Sequence, residues 1–131
     1  MKYFKLKIIS AIAFTSILIA NIQADGNNAK SEQEDLIKLI NSGRKKDGVK
    51  ALSPNHAIDK LAQNWAEHMN KTNMLVHNDF KGGQCIAEGK NAEVVYKAWM
   101  GHKPHRDGLM GKEYKDIGVG KSGKFWVVNL K

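Results

Sequence analysis

Cysteine is nearly absent. Cys85 stands alone in 131 residues, so no disulfide can form within the chain and an exported domain of this size must rely on its apolar core. Its neighbours Ile86 and Ala87 favour a buried, inert thiol. The first 24 residues lack acids altogether. No long basic run occurs anywhere, so a nucleic-acid footprint is weak and no nucleic-acid partner is expected. Internal repeats, low-complexity stretches and interdomain linkers are missing too. There is no His-Glu-x-x-His, and no serine sits in a nucleophile elbow.

What is present begins with targeting. Lys2, Lys5 and Lys7 precede an apolar run from Ile8 to Ala20, and Ile22-Gln23-Ala24 offers a cleavage site. The run is shorter than the roughly 20 apolar residues of a spanning helix. Residues 1–24 therefore read as a secretory signal peptide, with no membrane span left after cleavage. No cysteine adjoins the site to carry a lipid. The formal charge of +8 falls to +5, because the leader holds three of the 21 basic residues and none of the 13 acidic ones. The 107 residues that remain suffice for one compact domain and not for two. The expected product is a secreted monomer, extracellular or periplasmic.

Residues 25–32 are polar and read as a flexible lead-in, and residues 33–131 as the domain. Ser31 with Glu34 forms a capping-box pattern before Leu36, Ile37 and Ile40, with Gly43 expected to end that helix and Arg44 to complement its dipole. Ser53-Pro54 reads as the cap of a second helix, whose stripe is Ile58, Leu61, Ala62, Trp65 and Met69. Residues 74–83 read as irregular and 84–90 as extended or turn. Asn91 caps a short helix through Trp99, which Gly101 and Pro104 stop. A turn follows, then a hairpin of Ile117–Val119 and Phe125–Leu130 around Lys121–Lys124. Helices must cover both faces of a few adjacent strands. The fold class is α+β, a small antiparallel sheet between helical layers.

Two glycine strings fail on context. Gly118-x-Gly120-x-x-Gly123 matches a dinucleotide fingerprint, yet a strand follows it where a helix is required. Gly83 to Lys90 is one residue too long for a phosphate loop, and Asn91 replaces its hydroxyl residue.

The ordered strings resemble the CAP superfamily of cysteine-rich secretory, antigen 5 and pathogenesis-related proteins, in its short bacterial form. They are Leu39-Ile40-Asn41 with Arg44, Trp65-Ala66-Glu67-His68-Met69, Leu75-Val76-His77, Gly83-Gln84-Cys85-Ile86-Ala87, Trp99-Met100 with His105-Arg106, Tyr114 to Gly120, and Phe125-Trp126-Val127. The resemblance implies an α–β–α sandwich with a surface cleft that, in many members, holds two histidines and two glutamates and binds zinc. His77 matches the first histidine. Gln84 stands at the first glutamate, His102 at the second, and the closing strand offers no second histidine.

Glutamine cannot act as a base, so acid–base chemistry at such a cleft loses its carboxylates unless Glu88 substitutes. Three imidazoles, His77, His102 and His105, with water would make a zinc set, His77 and His102 facing each other. The competing reading has His105 and Arg106 lock their loop by bonds to backbone carbonyls. Cys85 with His77 or His102 is the one nucleophile pair available to an enzyme. The chain reads as a binding protein rather than an enzyme. Its cleft is framed by His77, Gln84, Glu88, His102, His105 and Arg106, and its ligand is a lipid, sterol, or cell-wall glycan. The alternative is a zinc-binding protein or metal-dependent hydrolase.

Overall fold

The computed structural model describes the backbone of residues 10–131 and the side chains of residues 24–131. The leader expected over residues 1–24 thus falls almost wholly outside the described side chains. No described helix is long and apolar enough to cross a membrane.

The elements run α1 (Ser10–Lys46), β1 (Ser53–Pro54), α2 (His56–Thr72), β2 (Gly83–Glu88), α3 (Ala92–Met100), α4 (Lys103–Leu109), β3 (Asp116–Ser122) and β4 (Phe125–Leu130). The sheet order is β1-β3-β4-β2. The pairs β3–β4 and β2–β4 are antiparallel, as expected; the two-residue β1 joins β3 in parallel and makes the sheet mixed.

Strand alternation divides the core between two helical layers. Cys85, Ala87, Ile117, Val119, Trp126, Val128 and Leu130 face α1, α3 and α4, meeting Leu36, Ile40, Val95, Trp99 and Leu109. Ile86, Phe125 and Val127 face Ala62, Ala66 and Met69 of α2. On that second face β3 presents Gly118 and Gly120. A Cβ on Gly120 would lie 2.2 Å from the Ala62 carbonyl oxygen, and one on Gly118 would lie 2.3 Å from the Ile58 carbonyl carbon. The two glycines let the α2 backbone rest directly on the sheet, which is the close packing the sequence suggested for them.

Several local expectations change. Residues 25–32 take up helix as part of α1, with Glu32 paired to Lys121 at 3.1 Å, and the next residue, Gln33, donates to Gln63 at 2.9 Å. Gly43 lies inside α1 against the Tyr96 hydroxyl; the helix ends three residues later, before Gly48 at φ +68°. Asn55 rather than Ser53 caps α2, its Oδ1 accepting from the N–H groups of Ala57 and Ile58, because Ser53-Pro54 is used as β1. Leu61 is exposed, and Ala66 takes its place in the buried stripe. Asn91 caps α3 and Gly101 closes it. Pro104 does not merely stop that helix. It occupies the first turn of α4, where its missing N–H costs nothing.

Candidate functional site

Edge strand β2 carries the first site residue. Gln84 lies on the α2 face opposite Asn129. Its Nε2 donates to Asn78 Oδ1 at 2.8 Å and to Asn129 Oδ1 at 2.9 Å. Its Oε1 accepts from the Asn78 N–H at 3.3 Å and meets His77 Nδ1 at 2.8 Å. Both hydrogens and both acceptor positions of the amide are in use. A glutamate there would have no hydrogen to give, so the amide serves as a structural pin. Asn129 is fully buried, and its Nδ2 finds no acceptor among the described residues.

The network fixes a tautomer. A backbone N–H only donates, so the atom that Asn78 addresses is an oxygen. His77 Nδ1 must then carry the proton of the neutral ring, which leaves Nε2 as an exposed acceptor.

The other imidazoles come from α4 and its cap. His102 is the N-cap residue of α4, without a side-chain capping bond, and His105 lies in the first turns of that helix. Their Nδ1 atoms are 3.2 Å apart, so one ring donates and the other accepts. The His105 ring is 6.5 Å from that of Trp99, whose indole N–H donates to the Ile86 carbonyl at 3.1 Å. Burial holds His105 below the ordinary imidazole range, and the charges of His102 and then His77 push it further the same way. His77, from the α2 side, and His105, from the opposite layer, are therefore electrostatic neighbours. The closing strand lacks a histidine, and the ring that Gln84 holds is His77 alone.

Two expected site residues lie elsewhere. Glu88 sits at the far end of β2, paired with Lys124 at 3.0 Å, four residues from Gln84. At about 3.3 Å per residue it is too distant to replace a carboxylate at Gln84. Arg106 is exposed on α4 and does not clasp the loop. The clasp is Arg44, which does more than the dipole complement expected of a cation at a helix end. Its fully buried guanidinium donates to the carbonyls of Lys50 and Leu109 at 2.8 Å, Gly111 at 2.9 Å and Tyr114 at 3.3 Å. Burial lowers its pKa, and nearby Glu113 partly offsets this.

Zinc is the metal that the resemblance implies, and the donors do not fit it. Among the described residues no group of three or more His, Cys, Asp or Glu side chains is placed to hold a metal. The Nδ1 atoms of His102 and His105 point at each other, which leaves Nε2 as each ring's outward nitrogen, and Gln84, with both lone-pair positions of Oε1 taken, brings no carboxylate to the set. The nucleophile pairing fails as well. Cys85 faces the α1 layer, away from Gln84 and His77, and burial pushes its thiol up to about 12.

A groove lies apart from these residues. It has a volume of about 810 Å³ and runs between α1 and the start of α2, lined by Ala29, Ile37, Pro54, His56, Lys60 and Val119 among others.

Comparison with known proteins agrees with this architecture. The family model described as "Cysteine-rich secretory protein family" matches residues 37–129. The uncharacterized protein YkwD of Bacillus subtilis is 28% identical over 120 residues, covering 76% of this chain and 47% of that protein, so the chain spans about half the length of this curated relative. An extracellular protein containing an SCP domain from Bacillus anthracis superposes with a TM-score of 0.74 at 18% identity, covering 78% of this chain and 40% of that one. An outer surface protein of Borrelia burgdorferi gives 0.71 at 19% identity, covering 78% and 92%.

Proposed function

The chain belongs to the cysteine-rich secretory protein (CAP) family, and from that premise we propose that it is an exported binding domain of the cell envelope, one that holds its ligand without breaking it. Cleavage after Ala24 would release the domain. The observation that carries the reading is the Gln84 network. An amide with all four hydrogen-bonding positions engaged cannot act as a base, and what it orients is a single imidazole with an outward acceptor. Hydroxyl and amide N–H groups, which a cell-wall glycan peptide carries in quantity, are the donors such a face takes.

Co-sedimentation of the full chain with insoluble cell-wall sacculi tests this. The parent is expected to pellet with the wall, and His77→Ala to pellet several-fold less. Release of soluble wall fragments would make the protein a hydrolase and overturn the reading; so would equal pelleting by the variant.

The α1–α2 groove favours a second reading, a lipid or sterol ligand. Its volume of about 810 Å³ is in the range of small-molecule sites, and Ile37, Pro54 and Val119 give it an apolar floor. Displacement of a fluorescent fatty acid by unlabelled lipid, weakened in the half-buried groove variant Ile37→Lys with its thermal melt unchanged, would support it.

A further inference from the structure

Three consecutive large apolar side chains, Met74, Leu75 and Val76, stand 58%, 47% and 41% exposed. Folding normally removes such runs, and one that persists marks a surface with something to meet. The segment is tied down at three points. At its start Asn73 adopts the left-handed conformation, and the Met74 N–H donates to the Met69 carbonyl at 3.2 Å. In the middle the Val76 carbonyl accepts the Trp65 indole N–H at 2.7 Å. At its end Gln84 holds the His77 ring and the Asn78 N–H. The backbone is held against α2 while its three side chains face solvent. Helix α2 extends the patch. Leu61 is 51% exposed, and half-buried Trp65 stacks on His68 at 4.5 Å; the spacing 61, 65, 68 places all three on one helical face.

Charge identifies the occupant. Exposed Lys60 and Lys71 lie on α2, and exposed Lys81 follows the strap in sequence. The acids on this stretch are Glu67, which accepts from Gln63 at 2.9 Å, and Asp79. Residues 25–131 carry a formal +5, the leader's three lysines left out. Aliphatic side chains at the centre, an indole beside them and lysines around them match the layers of an anionic lipid surface. Methionine, leucine and valine enter the acyl boundary, tryptophan sits at headgroup depth, and lysine stems reach out to the phosphates.

We propose that the Met74–Val76 strap docks this domain on an anionic lipid surface, with Trp65 at headgroup level and Lys71 and Lys81 on the headgroups. The proposal goes beyond the binding reading above and does not depend on it: the imidazoles of α4 take no part.

Trp65 is a built-in reporter, because Trp99 and Trp126 are 1% and 0% exposed. The full chain would be mixed with phosphatidylcholine vesicles, with or without phosphatidylglycerol, whose acyl chains are brominated to quench nearby indoles. The expected result is quenching on the phosphatidylglycerol vesicles that disappears in Trp65→Phe and weakens as salt rises. In the pair Met74→Ser with Leu75→Ser, lipid affinity should fall about tenfold or more, since each buried methylene strengthens anchoring. All the substituted side chains are at least partly exposed, and an unchanged circular dichroism melt would show that the fold survives. Three results would overturn the proposal. Vesicle binding without Trp65 quenching would place the attachment in another segment. Binding that the serine pair leaves unchanged would reduce it to general charge attraction and leave the strap to a protein partner. Equal quenching on uncharged vesicles would remove the role of the lysines.

Discussion

Arg44 donates from Nη1 to the carbonyl of Leu109 at 2.8 Å, across 65 residues of sequence. One side chain thereby joins the end of α1 to the loop between α4 and β3, and its other donors hold Lys50, Gly111 and Tyr114. Arg44→Met would leave several buried carbonyls without a donor, at about 1–3 kcal/mol for each one that water cannot reach. A loss of about 3 kcal/mol or more is expected in urea unfolding, a large share of a small domain's stability. Arg44→Lys keeps the charge but not the fork, and should recover less than half of that.

Gln84→Glu tests the pin. The new carboxylate would face Asn78 Oδ1, which is held in place by the Phe80 N–H at 3.2 Å. Asn129 can turn to offer its unused Nδ2, so the cost should sit near the low end, about 1–2 kcal/mol at neutral pH. Protonation restores one donor. The gap to the parent should therefore narrow as pH falls toward about 4, the ordinary glutamate range. Chemical denaturation at two pH values reads this directly.

His105 predicts a pH dependence of stability. Burial, then His102, then His77 hold its folded pKa below the ordinary imidazole value of 6.5. Between the folded and unfolded values the unfolded chain binds more protons, so stability rises with pH through that window and is lost as pH falls from 6.5. His105→Gln should flatten the slope. In an NMR titration, His102→Ala should move the His105 midpoint upward, because it removes a charge that depresses it.

Cys85 should be silent to thiol reagents. With a thiol pKa pushed up to about 12 and the side chain packed beneath α1, reaction with an aromatic disulfide at mildly alkaline pH should follow global unfolding. Fast labelling of the native protein would show that β2 opens locally.

The layers of this fold are legible in sequence where side-chain period decides structure. The hairpin at Ile117–Leu130 and the helix that Asn91 caps are readable because alternation and capping are local signals. The two-residue β1 has no period to read, and Asn55 takes over as cap only because β3 recruits Ser53 and Pro54. Pro104 serves equally to stop one helix or to start the next. Arg44 follows the same logic: a cation at a helix end fits the dipole, and its burial becomes visible only when residues 109–114 fold over it. The site is half legible. The loss of a carboxylate at Gln84 shows in the chain, whereas its four partners, and the distance of Glu88, are set by strand register.

Strand β4 lies inside the sheet, paired with β2 on one side and β3 on the other, yet it is the last element in sequence order. A chain that emerges from the ribosome amino end first makes both neighbours before the strand that joins them. Until Phe125–Leu130 arrive, neither core can close, because Phe125, Trp126, Val127, Val128 and Leu130 divide between the two. The late strand works as a timer. Both cores therefore wait on one strand, and the pairing that closes one closes the other.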